Sequence, residues 1–244
     1  MRYVAKTLIW VSIFSIAMGF LETAVVVYLR ELYYPDNNLF PMAQMSRTVI
    51  LTELLREAAT IIMLMATGYL AGRKFITSFA WFIYSFAIWD IFYYLFLKII
   101  LNWPESLLTW DILFLIPTVW TGPVIAPVIT SLSMILLAMG IVTYDARTPT
   151  GNKNIKLNKP EWFFLILGSG ILIIGFSWDY SVYILEQFSF SELFSNSNKA
   201  AVMEHSASYI PRSFNWIIYI IAQLTIFFGI GLFYLRNHKI LKSD

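Results

Sequence analysis

Five stretches of this chain, residues 7–29, 48–71, 76–100, 161–183 and 213–235, are each mostly apolar over more than 20 residues. About 20 such residues make a helix long enough to cross the roughly 30 Å hydrocarbon layer of a bilayer. Composition agrees: 59% of residues are hydrophobic and 13% charged, against roughly 45–50% and about 25% in soluble domains. The expected fold class is an all-α polytopic integral membrane helix bundle in a single domain.

The window from Glu105 to Val142 is too long for one span, and Pro117, Gly122, Pro123 and Pro127 interrupt it. Proline removes an N–H donor and clashes with the preceding turn. We therefore expect a short re-entrant or interfacial half-helix at 106–116, a break at 117–122 and a sixth span at 123–143. Such breaks persist at membrane depth only against protein or a water-filled cavity.

Basic residues set the orientation, because short cytoplasmic loops carry the excess. With the N-terminus inside, Arg2, Lys6, Arg73, Lys74, Arg147, Lys153, Lys156, Lys159, Arg236, Lys239 and Lys242 fall on the cytoplasmic side. Arg30, Arg47, Lys98, Lys199 and Arg212 fall outside, a division of eleven to five that favours six spans in a plasma (inner) membrane with both termini cytoplasmic. A full crossing by the half-helix would place Lys153, Lys156 and Lys159 outside. The first span lacks a small-residue cleavage site before Arg30-Glu31 and reads as retained.

Between the spans, residues 144–160 form a polar cytoplasmic linker with Pro149 and Gly151. Residues 184–212 form an outer segment whose first part, Leu185 to Phe194, mixes apolar residues with Glu186 and Glu192 as an interfacial helix does. Its remainder, including His205, reads as loop. Tyr33, Tyr34, Pro35, Phe40 and Pro41 suit an aromatic belt at the outer interface, and Lys98 is placed to snorkel there. Gly68 and Gly72 form a GxxxG packing signal at the inner end of span two.

Glu53-Leu54-Leu55-Arg56-Glu57 puts three formal charges inside the second span. Spacings of three and four put all three on one helix face, and intramembrane ionisable groups mark functional sites. Glu22 closes a seam of Ser12, Ser15 and Gly19 in span one, and Asp90 sits in span three with Tyr93 and Tyr94 one turn on. With this topology Glu22, Glu53, Arg56, Glu57 and Asp90 share the outer half of three helices, and Asp111 approaches from the half-helix. Trp89-Asp90, Trp110-Asp111 and Trp178-Asp179 repeat one dipeptide without a wider internal duplication.

Four spanning acids against Arg56 leave three excess negative charges, which protons, hydration or a cation must answer. Shared protons suit proton-coupled binding or transport of a small solute. An organic cation suits the aromatic surroundings. A divalent cation would be held by Glu22, Glu53, Glu57 and Asp90, with oxygen ligands selecting magnesium, calcium or manganese. Arg56 suits an anionic group such as a lipid phosphate or carboxylate. The expected partners are the lipid bilayer and a small solute or lipid-like ligand.

Two other readings stand beside solute binding: an intramembrane enzyme whose carboxylates act on a lipid-like substrate, and an accessory subunit whose charges close into a network around Arg56. The chain has no cysteine, and His205 and His238 are expected on opposite sides, so no haem or iron–sulfur cluster is expected. A net charge of +2 spread over loops gives no nucleic-acid footprint.

Overall fold

The computed structural model describes residues 2–34, 38–148, 155–193, 195 and 197–242, and the side chains of these except 2 and 239–242. Pro35, Pro149, Gly151, Lys153 and Phe194, to which the sequence analysis assigned loop or interfacial positions, lie outside the described residues.

The architecture is an all-α bundle of membrane type. In chain order the elements are α1 (Arg2–Tyr33), α2 (Arg47–Ala71), α3 (Phe75–Leu101), β1 (Trp110–Phe114), β2 (Trp120–Pro123), α4 (Ile125–Arg147), α5 (Lys159–Gln187), α6 (Phe190–Leu193), α7 (Lys199–Ala207) and α8 (Trp216–Lys242). Among the described residues, α1, α3, α4, α5 and α8 are long and apolar enough to cross a membrane. The sixth long helix, α2, has 25 residues and carries Glu53, Arg56 and Glu57. Exposed side chains such as Ile9, Trp10, Ile62, Leu70, Ile166 and Leu224 give the bundle the apolar exterior that lipid requires.

Packing divides the helices into two groups. α3 is central to the first and contacts α1, α2 and α4; α5 pairs with α8, and α4 joins the two groups. The main core lies among α3, α4, α5 and α8, with Ala80, Trp81, Ile141, Leu165 and Phe233 inside it. Gly68 lets α2 approach α3 closely: a Cβ there would lie 2.5 Å from the Phe82 backbone nitrogen. Gly72, its partner in the sequence signal, caps α2, its N–H reaching the Gly68 carbonyl. Near the C-terminal end of α8, Arg236 forks onto buried Glu161 at 2.7 and 2.8 Å, tying α8 to α5.

The helices outrun their apolar windows. α5 continues to Gln187, so the expected interfacial helix is that extension followed by the short α6, and α7 occupies part of the expected loop, placing His205 on a helix. Its ring stacks on Tyr183 at 4.3 Å between centroids. Lys98 turns to the C-terminal end of α3, where it donates to the Asn102 and Pro104 carbonyls.

The largest departure is at 106–116. Instead of a half-helix, residues 110–123 form an antiparallel hairpin pairing Trp110 with Pro123, Asp111 with Gly122, Ile112 with Thr121 and Phe114 with Trp120. Trp110, Ile112 and Phe114 are strand formers, and Pro117 stops helix propagation. A hairpin also pairs much of its own backbone, which a short broken helix in the bundle would not do.

The hairpin descends among the helices. Phe114 packs against the buried cluster of Met18, Leu64 and Trp89 at mid-helix level. Trp120 stacks on Phe176 of α5, and Trp110 meets Phe214 ahead of α8. Sequence breaks at Pro117 and Gly122 therefore mark a tip and a strand.

Candidate functional site

The hairpin, the C-terminal part of α1, the N-terminal half of α2, Tyr93 of α3, the loop before α2, and α7 line a cavity of about 400 Å³. Val26, Leu29, Met45, Ile50, Leu115 and Met203 supply much of its wall. The charges are contributed by Glu53, Arg56 and Glu57 of α2, Arg30 of α1, Asp111 of β1 and Lys199 of α7.

α2 presents its charged face as the spacing requires. Glu53 and Glu57, one turn apart, are both buried, and Arg56 lies between them. Arg56 donates through Nε to Glu53 at 2.8 Å and through Nη1 to Glu22 of α1, which also accepts from Thr60 at 3.3 Å. One guanidinium thus bridges two carboxylates from two helices.

Glu57 points the other way. Its carboxylate accepts the Leu115 backbone N–H at 3.0 and 3.2 Å, capping the hairpin tip from α2. Among the described residues no cation stands within ion-pair distance of it.

Arg30, counted in the sequence only as an outer loop charge, is the residue that reasoning missed. α1 continues past it to Tyr33, so its side chain is held inside, 2% exposed. Its guanidinium lies 3.8 Å from the Asp111 carboxylate and 3.8 Å above the Trp103 ring. Nε, Nη1 and Nη2 of Arg30 and Oδ2 of Asp111 are buried without a hydrogen-bond partner among the described residues. The available signal is its place two turns beyond Glu22 on the same helix.

No family model, curated protein or solved structure matches this chain.

Of the eight side chains expected at one site, six gather at or beside the cavity. Glu53, Arg56, Glu57, Tyr93 and Asp111 line it, and Glu22 joins through Arg56. Tyr94 does not line the cavity but packs on Tyr93 at 4.9 Å between ring centroids and hydrogen-bonds to Asp111. Asp90 faces α4, where the Ser131 hydroxyl donates to it at 2.8 Å.

That separation corrects the expected metal set. Among the described residues no three His, Cys, Asp or Glu side chains group closely enough to hold a metal ion. Arg56 stands between Glu22 and Glu53, Glu57 turns to the hairpin and Asp90 to α4. Four carboxylates on three helices do not converge once each has its own direction.

The Trp-Asp pairs also diverge. Asp179 accepts from the Tyr209 hydroxyl at 2.7 Å and from the backbone N–H groups of Arg212 and Ser213, fastening the outer segment. Asp111 faces Arg30 and Asp90 faces Ser131. Trp178 is 46% exposed whereas Trp89 is 5% exposed, so the three indoles share no common position either.

Chemically, the site joins an apolar chamber to a wall of oppositely charged groups. Such a combination orients a molecule with an apolar body and a polar end. Arg30, Glu57 and Asp111 line the chamber, and Asp111 Oδ2 and the three Arg30 guanidinium nitrogens are buried without hydrogen-bond partners among the described residues.

Proposed function

We propose that this membrane protein binds an amphipathic, lipid-like molecule in the cavity, taking it from the outer side of a plasma membrane in which both termini are cytoplasmic. The observation that carries the reading is the cavity itself, about 400 Å³ with largely aliphatic walls and Arg30, Glu53, Arg56, Glu57 and Asp111 on its surface. Pockets of 300–1,000 Å³ with few placed polar groups are the usual form of a small-molecule site. The apolar body of the ligand lies along Val26, Leu29, Ile50 and Met203, and its polar end meets the charges.

The closed packing on the inner side supports binding from outside. Trp81, Leu137, Ile141, Leu165 and Phe233 join one continuous apolar core there. A solute pathway through that half would have to part those contacts. The pairing of Arg56 with Glu22 and Glu53 turns the reading away from an acid cluster that seizes a bare cation.

A dansyl-labelled alkyl amphiphile tests the proposal. The purified protein is expected to bind it with enhanced fluorescence, and Val26→Trp or Met203→Trp, each filling the chamber, to weaken binding at least tenfold. Unchanged affinity in both folded variants would refute the proposed site.

A further inference from the structure

The charges around the cavity constrain the polar end of its ligand. Arg30 is 2% exposed, and none of its three guanidinium nitrogens donates a hydrogen bond to a described residue. Asp111 answers its charge at 3.8 Å, too far for a hydrogen bond. Trp103 covers a face of the guanidinium but leaves the N–H fork, which lies in the guanidinium's own plane, without an acceptor. Buried donors left unmade are strongly unfavourable, and Arg30 lines the cavity. An acceptor brought by the ligand completes the fork.

The second cavity arginine cannot take that role. Arg56 is already engaged by Glu22 and Glu53. Glu57 presents the opposite need, a cavity-lining carboxylate with one backbone donor and no ion-pair partner among the described residues.

Formal charge decides between ligand classes. On the cavity wall Arg30, Arg56 and Lys199 stand against Glu53, Glu57 and Asp111, a formal balance. A ligand carrying only an anion would upset that balance, and one carrying only a cation would also leave the Arg30 fork unmade. Resting on the reading of the cavity as an amphiphile site, we infer that the ligand's polar end is a zwitterion, with anionic oxygens on Arg30 and an ammonium group at Glu57. Phosphoethanolamine carries this chemistry, either as a lipid head group or as a free small molecule. The aliphatic wall favours the lipid.

The test uses the full chain in detergent, with native mass spectrometry of bound phosphatidylethanolamine and phosphatidylglycerol of identical acyl chains offered together. The wild type is expected to retain phosphatidylethanolamine about tenfold over phosphatidylglycerol, the equivalent of one charge-assisted contact. Glu57→Gln, nearly isosteric, should bring the ratio near one. Arg30→Lys keeps a charge opposite Asp111 but loses the fork, and should weaken both lipids about tenfold.

Val26→Trp separates the two levels of the argument. If it abolishes retention of both lipids while the wild type holds them equally, the amphiphile site stands and the zwitterion is overturned. If it leaves retention of both unchanged, the cavity is not the site and both fall. Free O-phosphoethanolamine that displaces the lipid shows the head group alone to suffice; failure to displace it while the lipid preference holds assigns the lipid as the source. Either result supports the inference.

Discussion

Replacing Gly68 by alanine tests whether the charged helix α2 is held to the bundle by a close backbone approach. A Cβ at Gly68 would lie 2.5 Å from Phe82 N and 2.7 Å from both Phe82 Cα and Cβ. Non-bonded carbon contacts sit near 3.5–4.0 Å, so α2 must retreat by about 1 Å. Two of those atoms are α3 backbone and cannot rotate aside. Overpacking of this kind destabilises by about 1–3 kcal/mol, and the better helix propensity of alanine returns about 1 kcal/mol. A net loss of about 0–2 kcal/mol, centred near 1, is expected.

Gly170→Ala supplies the opposite sign, since nothing lies within 4 Å of a Cβ at that position. There the helix gain of about 0.5–1 kcal/mol stands alone. The two variants should therefore differ by about 2 kcal/mol, roughly 30-fold in the unfolding constant. Reversible unfolding in mixed dodecylmaltoside and SDS micelles, followed by circular dichroism, measures that difference. Gly68→Ala matching or exceeding Gly170→Ala in stability would refute the close-approach argument.

Arg56→Met should destabilise more than Glu22→Gln, by about 3 kcal/mol for the arginine, because it strands two carboxylates whereas the glutamine still accepts from Arg56; the same titration checks the order. Asp179→Ala removes the acceptor for Tyr209, Arg212 and Ser213, and hydrogen exchange at the latter two amides should quicken about tenfold, near 1.4 kcal/mol. Because the chain contains no cysteine, single-cysteine variants report orientation directly: a membrane-impermeant maleimide should label Ser197→Cys in intact cells and reach Thr148→Cys only after permeabilisation.

The bundle was legible because each long helix announces itself by an apolar run, and α2 announces itself by charges that such a run should not hold. The hairpin was not. Trp110 to Phe114 is a short run of large residues that period alone cannot divide between strand and helix, and its pairing partner begins beyond Pro117. Arg30 was obscured for a different reason. At the end of an apolar window a basic residue serves topology equally well whether it faces water or turns inward, and only the continuation of α1 to Tyr33 and the arrival of Asp111 decide that it turns inward. Asp90 and Asp111 illustrate the same limit: both follow tryptophan, yet one finds Ser131 and the other the cavity. Helix packing order made that choice, and it is not written in periodicity.

The hairpin also carries a consequence for how the protein is made. Its tip is held by Glu57 of α2, already synthesised when the hairpin emerges, but Trp120 rests on Phe176 of α5 and Trp110 on Phe214, both later in the chain. A two-stranded ribbon alone in hydrocarbon would expose the unpaired polar edges that lipid does not tolerate. Insertion therefore cannot follow the order of synthesis strictly. The segment between α3 and α4 is expected to dock only once Phe176 and Phe214 are in place, which makes its packing a late step of assembly.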